Sequence, residues 1–231
     1  SATLQTFNVT SDTHTYNTAV GYAAGNLVTT GINNTLIGGL AGDALTDADS
    51  NTAIGYNSLT TNTLGSAVTA VGSGALALHN VTSAAQTFNT AVGYDAGNQV
   101  TTGVDNTFVG GLAGDATDDG AYNVAVGKSA LSANCGDSNT AIGTSAATVC
   151  TGDDNTVVGG NSGLALTSGS NNLFVGHDAG RSGSPGGNIT TGSNEIVLGD
   201  ENITEAHIQV DWTVASDARD KTDFTALDLG L

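Results

Sequence analysis

Apolar residues come in adjacent pairs along most of this chain, each pair led in by Asn and a small or β-branched residue and closed by Gly. The phrase reads NTAVG at Asn17–Gly21, NTLIG at Asn34–Gly38, NTAIG at Asn51–Gly55 and VTAVG at Val68–Gly72. It returns as NTAVG from Asn89, NTFVG from Asn106, NVAVG from Asn123, NTAIG from Asn139, NTVVG from Asn155 and NLFVG from Asn172. The closing glycines are Gly21, Gly38, Gly55, Gly72, Gly93, Gly110, Gly127, Gly143, Gly159 and Gly176, at spacings of 17, 17, 17, 21, 17, 17, 16, 16 and 17. A period this regular predicts a solenoid of stacked coils rather than a domain with one central core.

Neighbouring residues of a strand point to opposite faces. The paired apolar positions, such as Leu36 and Ile37 or Phe108 and Val109, therefore make both faces of each short strand apolar, the pattern of a strand buried on both sides. A coil of about 17 residues hides one face inside its own turn. The other needs a second surface, and a further copy of the chain around a symmetry axis is the economical one. The closing Gly fits a sharp corner of positive φ or a close approach of chains. The Asn, present in nine of the ten phrases, can bond from coil to coil as a ladder in a stack of about 4.8 Å per strand.

A longer rhythm overlies the short one. YNTAVGYAAGNLVTTGINNTLIGGLAGDA from Tyr16 matches FNTAVGYDAGNQVTTGVDNTFVGGLAGDA from Phe88, an offset of 72 residues. Four coils are duplicated as a block, and the 21-residue spacing carries an insertion near Leu78–Thr87. That segment, with Asp115–Ala121, is where projecting loops and receptor contacts are expected. Beyond Gly176 the pattern loosens through RSGSPGGNITTGS (Arg181–Ser193), which holds the only Pro; Ile196–Leu198 reads as one last strand, and Ala206–Val214, around the only Trp, Trp212, as a neck strand.

Composition fits this picture. The 231 residues hold 33 Gly and four Lys plus Arg, an unusual make-up for an enzyme, and 39% hydrophobic residues at fixed phase argue against disorder. A net charge of −18 disfavours nucleic acid and anionic membranes as partners, and no apolar run is long enough to insert in a bilayer. The first residue is Ser1, not Met, and the chain reads as a segment of a longer protein.

Two resemblances follow from these residues. The coils from Tyr16 to Gly180 resemble the head repeats of trimeric autotransporter adhesins, which implies a left-handed parallel β-roll wound into a homotrimer. GSNEIVLGD (Gly192–Asp200) and HIQVDWTVASDARDK (His207–Lys221) resemble the opening of the intramolecular chaperone peptidase domain of phage tail fibres and tail spikes. The implied organisation is a lead-in over 1–15, a ten-coil head or shaft over 16–180, closing strands and neck over 181–215, and the start of a truncated chaperone domain over 216–231. In that family a Ser at the junction and a Lys five residues on support self-cleavage, so Ser216 and Lys221 become the implied pair, with cleavage just before Ser216. A Lys with a partly desolvated amine can act as base for a neighbouring hydroxyl. Read without the resemblance, Ser216 or Asp217 can cap a helix near Arg219–Leu229.

Other candidate chemistry is sparse. Cys135 and Cys150 lie one coil apart, within reach of a disulfide, or stand as two thiols. His14, His79, His177 and His207 have no ligand spacing among them and read as surface or neck residues. DADSN at Asp47–Asn51 starts like a calcium loop but lacks its Gly and Glu. No metal and no cofactor is expected. The resulting expectation is a non-enzymatic, all-β structural and receptor-binding segment of a trimeric phage tail fibre, carried on the virion and meeting a host glycan or surface protein. The alternatives are a bacterial cell-surface adhesin head and a glycan-cleaving tail spike. An ice-binding solenoid would want a regular row of Thr, which the TT pairs at Thr29–Thr30, Thr60–Thr61, Thr101–Thr102 and Thr190–Thr191 do not make.

Overall fold

The computed structural model describes residues 14–207. Among them, eleven three-residue strands from Thr18–Val20 to Ile196–Leu198 pair in parallel and in chain order into one sheet, forming a β-solenoid. Equivalent residues stack in register: Thr35 lies over Thr18, Leu36 over Ala19 and Ile37 over Val20. The ten repeated phrases each supply one strand, and Ile196–Leu198 supplies the eleventh, paired on Leu173–Val175. At about 4.8 Å per strand the ten steps make a rod about 48 Å long. The structure thus gives the all-β parallel solenoid of about 17 residues per coil.

One strand face builds the core. The middle residue of each strand points inward, and Leu36, Ala53, Ala70, Ala91, Phe108 and Phe174 are fully buried. A second inward position, six residues later, compensates for the volume of the first. Where the strand centre is Ala53, Ala70 or Ala125, the later residue is Leu59, Leu76 or Leu131, all fully buried. Where the centre is Leu36, Phe108 or Phe174, the later residue is Gly42, Gly114 or Gly180. A Cβ on Gly114 would stand 2.6 Å from the Phe108 ring, and one on Gly42 would stand 2.8 Å from Leu36. These six coils therefore hold one large side chain at one of two places; where both positions are small, as at Ala91 and Gly97, Leu76 and Phe108 of the adjacent coils reach into the space, which keeps the interior close-packed.

The corners are backbone devices. The closing glycines adopt φ of +123° to +146°, a region closed to other residues. They also stack on one another: a Cβ on Gly110 would lie 2.6 Å from the carbonyl oxygen of Gly127. Further corners use left-handed backbone without Gly, as at Leu40 (φ 60°), Tyr122 (φ 61°) and Leu131 (φ 48°).

The repeated Asn braces the opposite, leading end of each strand. Asn106 Oδ1 accepts the backbone N–H of Asn123 on the next coil at 2.9 Å, while its Nδ2 donates to the Gly120 carbonyl at 2.9 Å. Asn34, Asn123, Asn139, Asn155 and Asn172 repeat the pattern. Asn17 and Asn89 also bond a carbonyl 14 residues on and the next coil's N–H. Asn51 accepts the N–H of Val68 at 3.0 Å. Asn51 Nδ2 turns to Asn34 Oδ1 at 3.1 Å, and the Gly65 carbonyl 14 residues on is served by Asn62, with Nδ2 donating to it at 2.7 Å and Oδ1 accepting the Gly65 N–H at 2.9 Å; the next phrase opens on Val68 in place of Asn. The insertion follows at once, and its Ala85–Gln86 pairs in parallel with Gly65–Ser66 as a separate two-stranded patch.

The volume compensation is open to test. Phe108→Ala should cost about 4 kcal/mol by leaving a cavity, whereas the double variant Phe108→Ala with Gly114→Leu, copying the pairing of Ala125 with Leu131, should recover at least half of that loss in urea unfolding. A double variant no better than the single one would mean that the two positions do not share one space.

Candidate functional site

The outward side of the strands is the first candidate surface. The third strand residue is Val, Ile or Leu on every coil and stays partly open: Val20 is 58% exposed, Ile37 37%, Val109 37% and Val175 38%. In the single chain the strand is therefore buried on one face only, and the second apolar face lies at the surface as a column. Beside it the first strand residues form a second column, Thr18, Thr35, Thr52, Thr69, Thr90 and Thr107, then Val124, Thr140, Thr156, Leu173 and Ile196 in continuous register. A regular Thr row does exist, contrary to the reading from the TT pairs. It is built from the Thr of the repeated phrase, because stacking register, not sequence adjacency, decides which Thr align. Exposed aromatics flank the sheet within two residues of the strand ends: Tyr16, Tyr22, Tyr56, Phe88, Tyr94 and Tyr122.

A groove of about 550 Å³ runs over the turns of the second block. Asp95, Asp115 and Asp118 line it with the amides of Asn98, Gln99 and Asn134, and Leu112 gives it an apolar element. The polar groups are linked. Asn98 Nδ2 donates to the Gly74 carbonyl at 3.0 Å and to Asp95 Oδ1 at 3.3 Å, Gln99 Nε2 donates to Asn98 Oδ1 at 3.2 Å, and the Thr101 hydroxyl donates to Asp118. Burial pushes the Asp115 carboxyl up, aided by the charge of Asp95 and opposed by a hydrogen bond from Ser132. The Asp95 carboxylate in turn raises the neighbouring Tyr94 hydroxyl. Asp115 and Asp118 belong to the loop expected at Asp115–Ala121. In the other expected loop, Leu78–Thr87, residues Thr82–Gln86 are exposed while His79, Val81 and Thr87 are buried.

That burial overturns the reading of His79 as a surface or neck residue. His79 occupies the inward corner column that elsewhere carries Val28, Leu45, Val100 and Leu166, and it is fully enclosed. Its Nε2 lies 3.1 Å from the Thr87 hydroxyl, under the insertion. Burial holds the imidazole down at about 4, with the Thr101 backbone opposing. Sequence spacing does mark its column, since His79 stands seven residues after Gly72 as Val28 stands after Gly21 and Leu45 after Gly38; a search of the histidines for ligand spacing alone passes over it.

Cys135 and Cys150 lie in the same inward column as buried free thiols. Cys135 Sγ is 3.2 Å from the Thr117 hydroxyl, and Asn155 Nδ2 donates to Cys150 Sγ at 3.4 Å. Burial raises both thiols, Cys135 to about 11. At the far end of the solenoid His177 Nδ1 stands 3.4 Å from Asp178 and 3.9 Å from Asp200, a set with the atoms to hold a cation. Arg181 already occupies Asp178 at 2.6 Å, so the charge there is matched internally. The acid of DADSN nearest to a ligand role, Asp49, spends Oδ1 on the Ile32 N–H at 2.8 Å. Ser216 and Lys221, with the neck strand around Trp212, lie outside the described residues. The repeated Asn and Gly residues are scaffold, inside the coils and at their corners.

Among the described residues no helix is long and apolar enough to cross a membrane. Comparison of the chain with protein-family models, with curated proteins and with solved structures returned no match.

Two outcomes follow from the buried groups. Since the folded His79 resists protonation, with its value lowered from 6.5 to about 4, stability is full above pH 6.5 and falls as pH drops towards 4, by about 3 kcal/mol in all. His79→Leu, which copies the column, should remove that share of the acid sensitivity in unfolding curves at pH 7 and pH 4; an unchanged pH dependence would contradict it. Both thiols, protonated and enclosed, should fail to react with a disulfide reagent such as Ellman's reagent in the folded protein and react fully in denaturant. Fast labelling of native protein would be the contrary result.

Proposed function

We propose that this chain is a structural and receptor-binding segment of a phage tail fibre, wound as a homotrimer through the outward strand face. One observation carries the reading: a column of Val, Ile and Leu runs unbroken over all eleven strands and stays partly open in the single chain. An apolar strip of that length is what an interaction surface presents. A second copy of the same strip matches it in length and repeat, so a symmetric assembly covers it at the least cost. The number three, and the placing on a virion tail rather than on a bacterial surface, rest on the resemblance of the coils to adhesin heads and of Gly192–Lys221 to the opening of a tail-fibre chaperone domain.

The rest of the molecule suits that role. Coils braced at every corner make a stiff rod, and interlocked rods unfold slowly and resist proteases. A net charge of −18 keeps the surface away from nucleic acid and anionic membranes. The groove and the exposed part of the insertion lie on turns, off the strand face, where three copies would present them together and gain by multivalency. The glycan-cleaving alternative has Asp95 and Asp115 within one groove as its candidate carboxylates; release of reducing ends from host polysaccharide is its assay.

Light scattering behind a sizing column should give three times the 22.7 kDa chain mass. Val109→Asp, which places a charge in the middle of the apolar column, should lower the mass to that of one chain while leaving the β-sheet circular dichroism in place. A wild-type chain that is a stable monomer would overturn the reading. The open face would then be a regular Thr and Val/Ile array, and thermal hysteresis would become the measurement to make.

A further inference from the structure

We infer that the groove around Asp95, Gln99 and Asp118 is a binding site for a neutral saccharide. The inference rests on the adhesive reading above and gives it a place and a ligand class.

The chain contains its own control. Residues 16–44 and 88–116 are the two copies of the duplicated block, 72 residues apart. Their corners share one backbone: Ala23 and Asp95 have φ of 55° and 50°, Leu40 and Leu112 both 60°, Gly25 and Gly97 both 59°. Much of the groove is common to both copies, including Asn26 and Asn98, Leu40 and Leu112, and Asp43 and Asp115. Three positions differ. Ala23 becomes Asp95, Leu27 becomes Gln99 and, just beyond the matched run at the same offset, Thr46 becomes Asp118. The first copy folds the same coil with Ala, Leu and Thr, so the coil does not need the polar groups of the second. Asp95 has a secondary backbone reason, since Asp tolerates a left-handed φ; Gln99 and Asp118 have none. The carbonyl that receives the Thr101 N–H belongs to Asp118 as the one that receives the Thr29 N–H belongs to Thr46, and neither bond uses the side chain.

The exchanged groups fix the ligand chemistry. Carboxylates and primary amides side by side accept from and donate to adjacent hydroxyls, and Leu112 offers an apolar contact for the C–H face of a sugar ring. The linked bonds from Asp95 through Asn98 to Gln99 hold these groups in place before any ligand arrives. Three carboxylates in one groove repel an anionic sugar. They also do not form an ion cage: among the described residues, the set of three ligands that comes together closely is His177, Asp178 and Asp200, in the last coils of the rod. Separated acceptors on an open groove suit a polyhydroxyl chain lying along it.

The test uses the whole chain on an immobilised array of neutral oligosaccharides of glucose, galactose, mannose and N-acetylglucosamine, with sialylated and sulfated oligosaccharides beside them. Wild-type protein should bind members of the neutral set and none of the anionic set. The variant Asp95→Ala, Gln99→Leu, Asp118→Thr carries only residues that the first copy already tolerates, so it should keep the wild-type melting temperature and lose binding by about 30-fold or more. Asp95 kept as wild type, with Gln99→Leu and Asp118→Thr alone, should still lose about tenfold. The reverse graft, Ala23→Asp, Leu27→Gln, Thr46→Asp, should add a second site per chain. Undiminished neutral-sugar binding by the folded triple variant, or binding only to anionic sugars, would overturn the inference and leave the adhesive reading standing. Protein that adheres to cells of a bacterial panel yet binds no neutral sugar would do the same. Protein that adheres to no cell and no sugar would remove both.

Discussion

Contact between backbones at the closing glycines sets the geometry on which the rest of this structure depends. Each closing Gly from Gly21 to Gly159 faces the carbonyl of the next one, at a distance that leaves no room for a side chain. The leading end of each strand, at the buried Asn, brings polar backbone groups into a dry place, where each unmatched N–H or C=O costs about 1–3 kcal/mol. The Asn that opens each phrase meets that cost, with Oδ1 on the next coil's N–H and Nδ2 on a carbonyl of its own coil, as at Asn106. Gly and Asn therefore recur together because they hold the two ends of one strand, Gly by close approach and Asn by polar satisfaction. Coil follows coil at a fixed step as a result, and the sheet, the core and both surfaces inherit that step.

Within this frame the interior is more adaptable than its period implies. In six coils one large side chain moves between the strand centre and the position six residues on, as Phe108 with Gly114 and Ala125 with Leu131 illustrate. Where the Asn fails, at Val68, polar side chains enter the core: Asn62 braces the Gly65 corner and His79 is enclosed beneath the inserted residues. At Gly65 the irregular coil thus replaces one buried hydrogen-bonding solution by another. Its side effect is a titratable ring in an apolar column, and an acid sensitivity that the regular coils lack.

Most of the fold was legible from the sequence, because the apolar pairs, the Gly and the Asn repeat with a phase that only stacking explains. The strand at Ile196–Leu198 and the insertion site near Leu78–Thr87 could be read from the same phase. The same phase also held the column of His79, seven residues after Gly72 as Leu45 is after Gly38 and Val100 after Gly93; it read as surface because the histidines were set against one another for ligand spacing and not against the apolar residues one coil away. The Thr row was missed for a related reason: adjacent Thr pairs draw the eye, whereas alignment belongs to residues about 17 apart. The groove is a product of three columns from neighbouring coils, and no single stretch of sequence contains it.

The repeats also make positional tolerance measurable inside one chain. The groove positions change character between the two copies, from Ala to Asp, Leu to Gln and Thr to Asp, as solvent-facing turn residues can when no packing fixes them. The third strand position behaves in the opposite way. It is Val, Ile or Leu in all eleven coils and never Thr, although Thr fills the outward strand position two residues earlier in eight of them. Strand propensity does not account for this, since Thr serves a pleated surface as well as Val does. Packing within the chain does not account for it either, since these side chains stand outside the coil and partly in solvent. The proposed assembly gives this uniform apolar requirement a physical source outside the chain, in a surface that would meet the whole column at once. Variable turns around an invariant strip are the division of labour that a rod needs if one side holds its partners and the other meets something new.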